Sequence, residues 1–202
     1  MDTYVKTCNE HLLKIARTMG YRVLVCEEIE GALLGKNSSL TPMLIKKVII
    51  EAKNVSELRK TLAGINHKQQ FITVHPFDKE AARWASHDGR VDSILLTTEN
   101  INLFDKKQQN VMKYYSKPLE ITLRTLISDN LDLRGVIYRR MRSYVSRKAP
   151  LIVSSMANKW YELYPPLSIV KFLLTQYDVP EKIGLQAITH VPWFIVSRKE
   201  VK

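Results

Sequence analysis

A chain of 202 residues, 45% hydrophobic and 25% charged, suits one domain with a sizeable core, or at most two small ones. No apolar run approaches the roughly 20 residues of a membrane helix, and the first residues do not read as a signal peptide, so a cytoplasmic protein without membrane contact is expected, with Cys8 and Cys26 as reduced thiols. The formal charge is +11, and residues 101–150 hold 11 basic against 4 acidic side chains, a concentration that favours a polyanionic partner such as RNA, DNA or an acidic protein surface.

Short β-like runs alternate with helix-like ones along the whole chain. "TYVK" (3–6) is a possible first strand. Asn9 can cap a helix that carries Leu12, Leu13, Ile15, Ala16 and Met19 at helical spacing and stops at Gly20. "YRVLVC" (21–26) predicts a second strand and "MLIKKVIIEA" (43–52) a third, joined by a loop that contains "GKNSSLTP". Asn54, Ser56 and Glu57 form a capping-box pattern for a helix through Leu62. "FITVH" (71–75) predicts a fourth strand, and Asp78 begins a helix over "KEAARWAS". "VDSILLTT" (91–98) follows as a fifth, then a helix over 106–116 and a sixth strand, "PLEITL" (118–123). A helix over 130–147 leads to a seventh strand, "PLIVSS". The last 37 residues read as helices, with Pro166, Pro180 and Pro192 near helix starts.

Strand–helix alternation of this kind predicts a parallel sheet built from right-handed crossovers. Seven strands fit either an open doubly wound sheet or an incomplete (β/α) barrel. The GxGxxG of a dinucleotide fold is absent after the first strand, and "EGALLG" (30–35) has two glycines without a following helix signal, which is weak support for nucleotide binding.

In either architecture function gathers where strands run into helices. Those positions are Glu27, Lys53, His75, Glu99, Arg124, Ser154 and Ser155. His75, ahead of Pro76, is expected to be a hydrogen-bonded strand-end histidine, and the two serines can equally serve local capping. The histidines are scattered, without HxH or HExxH, and neither serine lies in GxSxG, so neither a catalytic metal nor a nucleophilic triad is expected.

The stronger signal is "LRGVIYRRMRSYVSRK" (133–148), which carries Arg134, Arg139, Arg140, Arg142, Arg147 and Lys148 and no acidic residue. At about 100° per residue Leu133, Val136, Ile137, Met141 and Tyr144 share one face, Arg139 and Arg142 point outward, and Arg140 and Arg147 line one flank. Arginine suits phosphate because its planar fork can give one group two hydrogen bonds. The aromatic pairs Tyr114-Tyr115, Trp160-Tyr161 and Trp193-Phe194 form no exposed stacking ribbon, so phosphate and shape contacts are expected rather than base readout.

The order of "IIEAKNVSELRKTL", "RVDSILLT", "KYYSKPLEITLRTLI" and "RKAPLIVSSMANKWYELYPPLSIVKFL" resembles the ribonuclease P protein component 3 family, over about residues 44–202. Two motifs carry the resemblance: Glu120-Ile121-Thr122-Leu123 before a basic helix, and Pro150-Leu151-Ile152-Val153-Ser154-Ser155-Met156-Ala157 before a helix opened by proline. It implies a single irregular TIM barrel of about seven parallel strands over 1–202, related to the polymerase-and-histidinol-phosphatase superfamily but without its metal ligands. It further implies a subunit of the ribonucleoprotein that removes the 5′ leader from precursor tRNA. There the RNA is the catalyst and binds the Mg²⁺. The chain itself would hold no cofactor and be inactive alone, and would pair with a small RRM-like subunit among other ribonuclease P proteins. The RNA face expected on this basis comprises Lys53, Lys117, Arg124, Arg134, Arg139, Arg142 and Arg147. Ser154 and Ser155 would hold the loop after the last strand or touch RNA. Family members often carry arginine where this chain has Tyr164. The other reading of the residues is a TIM-barrel enzyme acting on a phosphorylated metabolite at Glu27, Lys53, His75, Glu99 and Arg124.

Overall fold

The structure, a computed structural model, describes residues 1–31 and 42–200. "EGALLG" and the loop "GKNSSLTP" therefore fall largely outside the described residues. Seven strands are described: β1 (Asp2–Cys8), β2 (Val23–Ile29), β3 (Met43–Ala52), β4 (Phe71–Pro76), β5 (Ser93–Leu96), β6 (Leu119–Thr122) and β7 (Leu151–Ser154). Between and after them run α1 (Glu10–Thr18), α2 (Val55–Ala63), α3 (Lys79–His87), α4 (Lys106–Tyr114), α5 (Leu123–Leu126), α6 (Leu131–Ser146), α7 (Pro166–Tyr177), α8 (Glu181–Ile188) and α9 (His190–Val196).

The strands pair in chain order, all parallel, with Lys47 beside Phe71, Glu51 beside His75 and Glu120 beside Ile152. The sheet closes on itself. The segment after β7 runs beside β1, with Met156 N donating to the Tyr4 carbonyl (2.8 Å) and Lys6 N to that of Ala157 (2.8 Å). The fold is thus the α/β barrel of parallel strands, and the open doubly wound alternative is excluded.

The strands read as apolar runs because both of their faces are covered. Odd and even positions then separate. Ile72, Val74, Ile94, Leu96, Leu119, Ile121, Leu151 and Val153 face outward into the layer beneath the helices. Val23, Val25, Ile45, Phe71 and Ile152 face inward, where Val196 of α9 covers them with Val191 and Ile195. Each such side chain contributes on the order of 1.5–3 kcal/mol by leaving water. α9 therefore plugs the end of the barrel from which the strands start.

The caps follow the sequence: Asn9, Asn54, Asp78, Asp105 and Asn130 each accept a backbone N–H of the first helical turn. Gly20 at φ +85° ends α1 in the left-handed region. Strand ends shift by a few residues. β2 begins and ends later than 21–26 and β5 is confined to Ser93–Leu96. The expectation of two reduced thiols does not hold, because Cys8 and Cys26 are joined in a disulfide. The two residues sit on neighbouring strands with Cα atoms 6.0 Å apart, within bridging reach, a proximity that depends on β1–β2 register rather than on compartment.

Candidate nucleic-acid interface

α6 builds the basic face. Ile137, Met141 and Tyr144 are buried, and Leu133 and Val136 are half-buried against the same core. Arg139 and Arg142 are consequently exposed, with Arg140 half-buried on the flank. The arginines that do have partners meet neutral oxygens. Arg134 donates to Gln176 (3.3 Å), Arg142 to the Tyr138 hydroxyl (3.4 Å), and Arg147 to Gln109 (3.1 Å) and Asn110 (3.4 Å). None of these arginines lies within ion-pair distance of a carboxylate among the described residues. Their charge is held on the surface and left uncancelled.

Lys53 and Arg124 are exposed where β3 and β6 end, at the barrel mouth. Arg124 lines a cavity of about 630 Å³ with Thr98, Ser128, Asp129, Tyr161 and Tyr164. Tyr164 faces the same hollow as Arg124. Glu162 on that rim is pinned by the amides of Asn158 (2.7 Å) and Lys159 (3.1 Å), which hold its carboxyl below the usual range.

Lys117 does not belong to an exposed basic face. It is 8% exposed and precedes β6, so it lies at the opposite end of the barrel from Arg124. Its amine donates to the carbonyls of Val91 and Asp88, the latter at 2.9 Å, and burial lowers its pKa to about 8.

The model of RNase P subunit p30 matches residues 9–202. The chain belongs to the RNase P subunit p30 family. The match starts well ahead of the residues that carried the sequence resemblance. Ribonuclease P protein component 3 of Aeropyrum pernix is 25% identical over 203 residues, covering 96% of this chain and 89% of that one. A chain in the cryo-EM structure of archaeal ribonuclease P with mature tRNA shares the fold, with a TM-score of 0.75 at 15% identity over 96% of this chain and 90% of that one.

In this family member the middle of the barrel is filled by a polar knot. Glu120, fully buried, accepts from the Lys47 amine (2.9 Å to each oxygen), Thr3 (3.2 Å), Thr73 (3.0 Å), Ser93 (2.7 Å) and Ser154 (3.2 Å). Lys47 also donates to the Thr3 carbonyl at 2.7 Å. Burial pushes the Lys47 amine downward and the Glu120 carboxylate opposes that shift. Each N–H of the Lys47 amine is thus spent on a neighbour. The glutamate in the apolar strand "LEIT" is the local signal of a buried pair, since an unpaired buried charge is too costly; its partner, one of two adjacent lysines in β3, has no such signal.

The two serines act locally. Ser154 binds Glu120, while Ser155 N donates to the Asp2 carboxylate (3.1 Å) and its hydroxyl accepts from Ala157 N (3.0 Å). They hold the loop that closes the barrel onto β1, and Met156 between them and Ala157 takes φ 57° to make the turn. His75 is the hydrogen-bonded strand-end residue expected, 2.9 Å from Thr97 Oγ1. Of the enzyme constellation, Glu99 lies near enough to His75 to oppose the lowering of its pKa by burial, but the five residues do not line one cavity. Glu27 is engaged by the Tyr4 hydroxyl (3.1 Å), and of Glu27, Lys53, His75, Glu99 and Arg124 only Arg124 lines the mouth cavity. Among the described residues no three of His, Cys, Asp and Glu are grouped to hold a metal ion.

Proposed function

We propose that this chain is an RNA-binding, non-catalytic protein subunit of ribonuclease P that supports the catalytic RNA in removing the 5′ leader of precursor tRNA. One observation carries the reading: the arginines of α6 are presented outward and uncompensated, on a barrel whose interior is closed by its own ion pair. Arg139 and Arg142 would grip phosphate, with Arg134 and Arg147 beside them and Lys53 and Arg124 at the mouth forming a second basic region. A small RRM-like subunit and other ribonuclease P proteins would complete the complex in the cytoplasm. Mg²⁺ would reside on the RNA, and the isolated chain would cleave no precursor tRNA.

The test is the salt dependence of binding to ribonuclease P RNA. A phosphate-dominated interface loses affinity linearly in log[salt], because each neutralised phosphate releases counterion. A flat dependence would sink the reading. RNA copurifying with the chain, once sequenced, identifies the partner directly.

A further inference from the structure

A second basic hollow lies at the end of the barrel where the strands start, opposite the mouth; only the buried side of α6 reaches it, through the Tyr144 hydroxyl, which donates to the Lys117 carbonyl (3.2 Å). It encloses about 510 Å³, within the range of small-ligand sites, and is walled by the segments that enter β4, β5, β6 and β7 and by α9. Its lining carries four cationic side chains, Lys68, Lys117, Arg198 and Lys199, of which Lys68 pairs at the surface with Glu200 (3.5 Å) and Lys199 with Asp92, the one carboxylate of the lining. That carboxylate is already committed, accepting from Ile72 N (2.7 Å) and the Lys199 amine (2.5 Å). Lys117 spends two N–H groups on the carbonyls of Asp88 and Val91, and its third has no acceptor among the described residues. Burying an ammonium with a donor unspent is costly unless something negative approaches it.

The hollow also carries aromatic faces. Phe194 and Tyr115 are about half exposed and line it. The Arg198 guanidinium lies 3.7 Å from the Phe194 ring centroid, a stack that holds the planar cation against an open ring. A positive pocket with stacking surfaces fits a ligand that is anionic at one end and flat at the other.

We propose that this hollow binds one nucleoside phosphate unit, its phosphate beside Lys68, Lys117 and Arg198 and its base against Phe194 or Tyr115. The unit is either one nucleotide of an RNA strand or a free mononucleotide. The site is separate from the α6 face and rests on the RNA-binding reading only in the first of these cases. Burial and the neighbouring Lys199 hold the Lys117 amine at about 8, so a bound phosphate should raise its titration.

The experiment titrates the full chain with inorganic phosphate, adenosine 5′-monophosphate and an eight-nucleotide single-stranded oligoribonucleotide, in parent, K68A/R198A and F194A proteins of unchanged melting temperature. The expected result is saturable adenosine monophosphate binding that falls about tenfold in K68A/R198A, as for loss of charge-assisted contacts. F194A removes the base's stacking face and also frees Arg198 from its stack, so it should weaken adenosine monophosphate more than it weakens phosphate, and the Lys117 amine should titrate higher in the bound state. An oligonucleotide that binds more tightly than the monophosphate assigns the site to an RNA strand; equal affinities assign it to free nucleotide. R139A/R142A should leave monophosphate binding as it is, so loss of α6 binding and loss of this site are read separately. No saturable binding, or binding indifferent to K68A/R198A, overturns the proposal.

Discussion

Lys47 and Arg139 carry the same charge and meet opposite fates. Lys47 is drawn into the barrel and cancelled within 2.9 Å by Glu120, with three hydroxyl groups from β4, β5 and β7 and a fourth from β1 around them. Arg139 stands on the outer face of α6, where no carboxylate of the described residues reaches it. The interior charge fixes the barrel by what it is tied to, and the surface charge is available because it is tied to nothing. A region's electrostatic role is thus set by compensation rather than by charge count.

The largest effect should come from breaking the interior pair. Glu120→Ala leaves a buried ammonium alone and should cost about 3–5 kcal/mol, measured by denaturant unfolding. The double variant K47M/E120A should be less destabilised than the single one, because the orphaned charge is gone; a double variant that is worse would mean the pair itself stabilises the barrel. Met141→Ala, on the buried side of α6, should cost about 2–5 kcal/mol through the cavity it leaves.

On the outer side the sign reverses. R139A/R142A should change stability by less than about 0.5 kcal/mol yet reduce RNA affinity and flatten the salt slope by nearly one unit per lost phosphate contact. Paired melting and binding measurements at several salt concentrations decide it. Unchanged binding together with failed assembly of the reconstituted complex would assign α6 to a protein partner.

The smallest effect concerns pH. Burial lowers the His75 pKa, with Glu99 and Glu51 opposing the shift. The unfolded chain then binds a proton that the folded one resists, so stability is full above the ordinary imidazole value of 6.5 and declines as pH falls below it. His75→Asn should remove that part of the decline in unfolding midpoints between pH 7 and 5.

Much of this contrast is legible in the chain. The 3.6-residue spacing of Ile137, Met141 and Tyr144 fixes which arginines of α6 face out, and the apolar runs mark all seven strands. What escapes is long-range pairing. "IKKV" contains two lysines one apart, and only the register of β3 against the barrel axis tells that Lys47 points in and Lys46 out. Lys117 reads as one more exposed cation, because nothing local shows the carbonyls of Asp88 and Val91 across the fold. Cys8 and Cys26 read as thiols because a cytoplasmic chain is expected, and their meeting shows only once β1 lies beside β2.

Barrel closure has a consequence for synthesis. Among the described residues β1 finds its second neighbour in the segment at Met156 and Ala157, and the inward apolar layer is covered by α9 together with Met1. A chain emerging from the ribosome in sequence order therefore holds an open sheet with a bare edge until most of it has been made. Contacts of such long separation fold slowly and expose strands to misassembly. Truncation before Ala157 should therefore yield a nascent barrel that recruits chaperones rather than a shorter stable domain.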